Sequence, residues 1–222
     1  MRVLITCGPT WMAIDDVRVV SNRSSGEMGH LIAAALLKQK VQVTLIEGPV
    51  THQWVNKKVK VIKFYFFDEL ASILKQELKK DYDIVIHAAA VSDFKVTKVV
   101  KGKVSSARSL SLKLIPAPKL INNIKKIAPQ VFLVGFKLEP HLKVEHILKE
   151  TQGLFKKAQC DLVVANSLDK GYQGLVVNQE GKILAKAANK KALTKALVKL
   201  LTQGRTAARL PARQGSPAQG KS

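Results

Sequence analysis

Cysteine occurs only twice, at Cys7 inside an apolar run and at Cys160 just before another, which excludes a disulfide framework and any metal-ligand spacing readable along the chain. Both are expected to be small core residues in a reducing compartment. No stretch approaches the roughly twenty consecutive apolar residues that a membrane helix needs, and Met1 to Gly8 holds too short an apolar run for a signal peptide. A cytoplasmic location is therefore expected. Internal repeats are lacking as well, and 222 residues at 46% hydrophobic content suit one sizeable α/β core. Acidic residues are scarce: 16 Asp and Glu against 37 Lys and Arg leave a net charge of +21. That balance favours polyanionic partners, whether phosphorylated small molecules, nucleic acid or an anionic surface, without choosing among them.

What is abundant is the short buried strand. Val3 to Cys7, Val41 to Ile46, Val59 to Phe64, Ile84 to Ala88, Val131 to Phe136 and Leu162 to Ala165 are continuous apolar runs, the pattern of parallel strands covered on both faces. Helical spacing separates several of them. His30 to Leu37 opens the first helix, Asp68 is expected to cap a second bearing Leu70, Ile73, Leu74 and Leu78 on one face, and Val144 to Ala158 is a third. A further helix is expected to open at Pro118 or Lys119, and Leu193, Leu197, Leu200 and Leu201 mark the buried face of a last one. Val176 to Leu184 reads as a hairpin turning at Gln179-Glu180, placed at an antiparallel sheet edge. The alternation predicts a Rossmann-like, doubly wound α/β fold with a mostly parallel sheet. One domain is expected through residue 203, followed by a basic, disordered tail over 204–222.

Two stretches carry chemistry. In Ser21-Asn22-Arg23-Ser24-Ser25-Gly26-Glu27-Met28-Gly29 small and polar residues run directly into a helix, where Ser24 or Ser25 can cap it and Gly26 and Gly29 allow an anion close to unpaired N–H groups. The residues alone leave a plain capped helix and a phosphate site equally open. Trp11 to Val20, ahead of it, reads as a long loop. In Ala88-Ala89-Ala90-Val91-Ser92-Asp93-Phe94, alanines at a strand end leave room for a flat group, with Asp93 as a polar reader or cation ligand. Lys95 to Ser106, rich in lysine and holding Gly102, reads as a mobile flap; runs of this kind are usually solvated surface. Leu110 to Ile115 alternates like a strand with one exposed face, broken at Pro116.

Gly8-Pro9-Thr10, Ile14-Asp15, Val17-Arg18, Asn22 to Gly26, Ala88 to Phe94, Lys103 to Ser106, Gly135-Phe136 and Asp161 to Asn166 together resemble the phosphopantothenoylcysteine synthetase (phosphopantothenate–cysteine ligase) family of coenzyme A biosynthesis, over about residues 1 to 201. With no flavin-dependent decarboxylase half, the chain is similar to the stand-alone ligase. The resemblance implies that CTP, or ATP, with Mg²⁺ converts 4′-phosphopantothenate to an acyl-nucleotide that L-cysteine then attacks. It further implies a homodimer, with Phe64 to Phe67 as possible contact area, and neither a membrane nor a specific nucleic acid as partner. By the same resemblance Asn22 and Ala90 meet the pantothenate part, and Asn22 and Lys103 are catalytic. Gly8, Ser24, Gly26 and Gly29 line the triphosphate; Ala88, Ala89, Asp93 and Lys103 meet the nucleotide, Asp93 also the metal. Ala117, Pro118, Lys119, Leu120, Phe136, Lys157 and Asn166 fall where the family holds base and ribose. Against the family's usual pattern, Met12 replaces an acid, Glu27 a lysine and Lys119 an aspartate, and a second lysine is missing near Gly153.

Two rival classes are weaker. Glu47, ending the second buried run, loosely imitates the ribose-binding acid of a Rossmann-type oxidoreductase, but Gly8-Pro9-Thr10 lacks the GxGxxG pattern. A nucleic-acid-binding protein rests on charge alone.

Overall fold

In the computed structural model, residues 1–54, 56–107, 109–141, 143–169 and 171–203 are described. The expected tail over 204–222 lies outside them. The chain runs β1 (Arg2–Cys7), β2 (Trp11–Ala13), β3 (Val19–Ser21), α1 (Glu27–Lys38), β4 (Gln42–Glu47), β5 (Lys60–Lys63), α2 (Phe67–Glu77), β6 (Ile84–His87), β7 (Phe94–Val96) and β8 (Leu114–Pro116). A 3-10 turn (Leu120–Asn123) then leads into α3 (Ile124–Ile127), β9 (Phe132–Leu138), α4 (Val144–Ala158), β10 (Leu162–Ser167), β11 (Gln173–Asn178), β12 (Ile183–Ala187) and α5 (Lys190–Gln203).

Eight strands form one sheet in the order β12-β11-β10-β9-β6-β1-β4-β5. It is parallel from β10 to β5, and β11 and β12 add the expected antiparallel edge. The apolar runs are continuous because successive side chains feed opposite cores. On one face Ile5, Leu45, Ile86 and Val134 pack with Ile32 and Leu36 of α1 and Leu193, Leu197 and Leu201 of α5. On the other, Leu4, Ile46, Val85 and Leu133 pack with Leu70 and Leu74 of α2 and with Ile124. Each such leucine or isoleucine contributes about 2 kcal/mol by leaving water, so the five named helix residues of the first face hold α1 and α5 down together. Of the last helix's four expected leucines, Leu200 is the one only partly buried.

Several local expectations are corrected. Trp11 to Val20 is no loop: β2 and β3 pair antiparallel as a short hairpin, Met12 opposite Val20. Its alternation is hidden because β3 is exposed on both faces. Neither Ser24 nor Ser25 caps α1; the N-cap is Gly26, in the left-handed region at φ 71°. An L side chain there is strained, and a Cβ would lie 2.8 Å from Val50. Asp68 does not cap α2 but pairs with Lys95 at 2.6 Å. The N-cap is Phe66, and Glu69, one turn in, accepts the N–H groups of Tyr65 and Phe66 at 2.7 and 3.1 Å. Of Leu110 to Ile115 only the end is strand, and Pro116, expected to break it, is its last residue. Proline is tolerated because β7–β8 is a two-stranded ribbon with open edges. The helix expected from Pro118 or Lys119 is a 3-10 turn from Leu120 that widens into α3. Finally, Asn166 does not stop β10, which runs through it to Ser167 because β11 pairs there on the open side.

Candidate active site

The sheet order reverses between β1 and β6: β4 and β5 extend outward beyond β1, whereas later strands are added beyond β6. Ligands in open α/β sheets lie at the carboxyl ends of strands at such a point. Thr6 pairs with His87, His87 with Gly135 and Gly135 with Val163, so Gly8, Ala88, Phe136 and Asn166 all emerge on this edge. Past its end β1 keeps its hold on the alanine stretch. The Ala88 N–H donates to Thr6 O at 3.1 Å, Ala90 N–H to Gly8 O at 2.9 Å and Thr10 N–H to Ala90 O at 3.3 Å. Ala88, Ala89 and Ala90 are half-buried, Ala88 packing against the core of one face and Ala89 against that of the other.

Beneath this shelf lies a network with no one-dimensional signature. The Thr6 hydroxyl accepts the Ala89 N–H at 3.2 Å and sits 2.9 Å from His87 Nδ1. Burial holds the His87 imidazole down to about 4 and keeps it neutral. Thr10, fully buried, accepts the Ser92 N–H at 2.8 Å and so fixes where Asp93 leaves the shelf.

Asn22 closes the site from the hairpin side. Its Nδ2 donates to both Ala90 O and Val91 O at 3.2 Å. Its amide oxygen has no partner among the described residues, which leaves an acceptor beside the shelf. Gly8 and Gly26 are in the left-handed region, and a Cβ on Gly26 would stand 3.4 Å from Gly8 N. The start of α1 is thereby laid against the end of β1. Ser24 and Ser25 take up the Gly26 and Glu27 N–H groups only at 3.5 and 3.4 Å, and the next N–H groups, of Met28 and Gly29, have no helical partner by position. Glu27 turns away from them to pair with Lys190 of α5 at 2.5 Å. Its charge is met outside the crown of amides.

Lys103 is exposed, but the flap that bears it is anchored rather than free. Gly102 N–H donates to Asp16 Oδ2 at 2.8 Å, Val104 N–H to Asp15 Oδ2 at 3.1 Å and Val100 N–H to Ile14 O at 3.0 Å. Arg18 donates back to Val104 O at 2.7 Å. Asp15, buried at the hairpin turn, also accepts the Val17 and Arg18 N–H groups. The residues on both sides of Lys103 are thus held by one hairpin. Sequence reasoning included Asp15 and Arg18 in a motif but found no task for them, because their partners lie far along the chain.

Asp93 is exposed and ion-paired with Lys119, the residue standing where the family usually has an aspartate. Pro118 is exposed beside them, whereas the side chains of Ala117 and Leu120 are buried in the core, leaving only their backbone to the edge. Phe136 is half-buried and packs against the core of α1 and α5. Lys157 is not brought in. After β9, α4 runs back toward the starting ends of the strands; its Glu150 is 3.6 Å from Lys137, and Lys157 lies two turns further from the edge, about 10 Å.

Residues 1–207 match the family model described as the DNA/pantothenate metabolism flavoprotein C-terminal domain. Over 169 residues the chain is 40% identical to the coenzyme A biosynthesis bifunctional protein CoaBC of Thermococcus kodakarensis, covering 75% of this chain and 41% of that protein. It is 36% identical over 178 residues to the CoaBC protein of Methanocaldococcus jannaschii, 78% of this chain and 42% of that one. The chain therefore spans about two fifths of the length of these relatives. A solved DNA/pantothenate metabolism flavoprotein from Streptococcus pneumoniae has the same fold, with a TM-score of 0.82 at 24% identity over 90% of this chain and 98% of that one. A Cab2 variant in complex with phosphopantothenate-cysteine superposes with a TM-score of 0.72 at 18% identity, covering 89% of this chain and 85% of that one. With the sheet, the shelf, the helix start and the sequence all in accord, this chain belongs to the DNA/pantothenate metabolism flavoprotein C-terminal domain family.

Proposed function

We propose that this chain joins 4′-phosphopantothenate to L-cysteine at the expense of a nucleoside triphosphate, CTP by resemblance, with release of pyrophosphate. The observation that carries the reading is the meeting of the open start of α1 and the Asn22 amide at one strand edge, with the Lys103 segment tied to the hairpin turn that leads to Asn22. The curated relatives are coenzyme A biosynthesis proteins, and the Cab2 structure contains phosphopantothenate-cysteine, which supports the choice of substrates.

The obstacle in such a reaction is charge: a carboxylate must approach an α-phosphorus already surrounded by anionic oxygens. The N–H groups of Met28 and Gly29, and the Lys103 ammonium, present positive charge to those oxygens before reaction begins. The carboxylate oxygen attacks the α-phosphorus, the bond to the β-phosphate oxygen breaks, and pyrophosphate leaves. The cysteine amine then attacks the acyl carbon, the nucleoside monophosphate departs, and the ammonium proton passes to solvent. Asn22, anchored through Nδ2 on Ala90 and Val91, keeps its oxygen available to orient the pantothenate amide or the incoming amine. Mg²⁺ suits this edge only together with the nucleotide. Asp93 offers one exposed carboxylate, already paired with Lys119, and no acidic cage surrounds it among the described residues, in keeping with an ion held mainly by phosphates. When bound, Mg²⁺ supplies screening of the triphosphate charge.

The oxidoreductase reading loses its support, since Glu47 is wholly buried and engaged by His30, Trp54 and Lys63. Of Phe64 to Phe67, Phe64 and Phe67 are buried in the core, and a homodimer is proposed on the exposed Tyr65 and Phe66, which meet Trp11 at 5.2 and 6.3 Å between ring centroids, with exposed Val19 and Val20 on the same hairpin. Incubation with 4′-phosphopantothenate, cysteine, Mg²⁺ and either CTP or ATP tests the function. Pyrophosphate and phosphopantothenoylcysteine should form together and only with all components. Absence of turnover with both nucleotides would overturn the reading.

A further inference from the structure

The two cysteines have no metal-ligand spacing along the chain, yet folding puts one of them into a donor cluster. Cys7 ends β1, Glu47 ends β4 directly opposite it in register, and His30 lies in the opening turn of α1 above both. Cys7 Sγ, a ring nitrogen of His30 and a Glu47 carboxylate oxygen all lie within 4.8 Å of one another. Cys7 and Glu47 are essentially without solvent exposure, whereas the His30 side chain is 16% exposed and forms the entry.

We propose that Cys7 Sγ, His30 Nε2 and Glu47 Oε1 form a binding site for a thiophilic divalent cation of the Zn²⁺ class. Tetrahedral Zn²⁺ with bonds of about 2.0 to 2.3 Å places its donors roughly 3.3 to 3.7 Å apart, so the side chains need to adjust by only about an ångström. The His30 nitrogen and Glu47 oxygen already face each other in a short hydrogen bond of 2.5 Å, and a cation would replace its proton as the two atoms part by under an ångström. The Cys7 sulfur stands beside that pair as a third donor. The opposite carboxylate oxygen, Oε2, is held by the Lys63 ammonium, and the Trp54 N–H donates to Oε1 at 3.0 Å. These partners orient the carboxylate from outside, as the surroundings of metal sites do. A cysteine thiol at neutral pH carries its proton until a cation arrives. Binding exchanges that proton for the metal: the S–H bond breaks, a sulfur–metal bond forms, and one proton goes to buffer. A sulfur donor separates this site from Mg²⁺, which prefers oxygen.

Co²⁺ titration of the full chain, without nucleotide, tests the assignment. One equivalent should bind with a sulfur-to-cobalt charge-transfer band in the near ultraviolet and release about one proton. Zn²⁺ should abolish the band, and excess Mg²⁺ should not. Cys7→Ala should remove the band and Cys160→Ala leave it intact. His30→Gln should weaken binding at least tenfold, and it decides the matter alone if Cys7→Ala does not fold by circular dichroism. Absence of binding by wild-type protein, binding without the band, or a band that survives Cys7→Ala would overturn the proposal.

Discussion

Asp15 Oδ2 accepts the backbone N–H of Val104 at 3.1 Å across 89 positions of chain. Through that bond a buried turn residue of the β2–β3 hairpin sets where the adjacent Lys103 can reach. The Val104 amide first, and then that of Val17, hold the Asp15 carboxyl below its ordinary value of 3.8. A carboxyl lowered in the folded state stabilises fully above the ordinary carboxylate range and loses that effect as pH falls through about 4 and below. Asp15→Ala is expected to quicken tryptic cleavage after Lys101 and Lys103 at least severalfold at neutral pH, and wild-type protein to lose protection of the Val104 amide in acid. Unchanged cleavage would detach the hairpin from the flap.

Removing the cation itself should spare the fold. Lys103 is exposed, so Lys103→Ala is expected to lower turnover by about a hundredfold or more with an unchanged melting temperature, the loss typical of one donor to developing charge. Steady-state rates beside a thermal melt check it; near wild-type turnover would remove the lysine from the mechanism.

Asn22→Asp separates the two half-reactions. Its Nδ2 contacts are with carbonyl oxygens of Ala90 and Val91, which an aspartate would repel, and the new charge would also oppose a phosphorylated intermediate. Pyrophosphate release is expected to survive better than amide formation. Quenched-flow measurement of both products decides; equal loss would undo the assignment.

His87 should appear in a stability profile. Folded, it binds a proton only near pH 4; unfolded, it does so near the ordinary 6.5. Between those values the unfolded chain holds more protons, so stability rises with pH across the window, by an amount on the order of 3 kcal/mol. Urea unfolding from pH 4 to 7 should show that slope in the wild type. In His87→Gln it should be much flatter, whatever the absolute stability of the variant.

The parallel sheet was legible because burial on both faces leaves unbroken apolar runs, and α4 over Val144–Ala158 because its period is long and uninterrupted. The hairpin at Trp11 was not, since strands of three residues with an exposed face have no alternation to read. The N-caps of α1 and α2 were misplaced for a related reason. Serine and aspartate signal caps by their own chemistry, whereas Gly26 and Phe66 are set by what the backbone must approach: Val50 and Gly8 in one case, Glu69 in the other. The start of α1 was visible as chemistry because glycine and serine next to a helical run are local. The His87–Thr6–Ala89 network, the Asp15 clamp and the Cys7–His30–Glu47 cluster depend on partners 17 to 89 positions apart, and no local pattern announces them.

Helices usually ride above a sheet on the cushion of their own side chains. At Gly29 that cushion is removed, for even a methyl group there would collide with the Cys7 side chain below. The height of the front end of α1 is therefore set by backbone lying on a single sulfur-bearing residue. Any larger residue at position 29 would tilt the helix like a lever over that fulcrum, withdrawing the amide donors from the phosphate position proposed above although the substituted atom itself faces the interior.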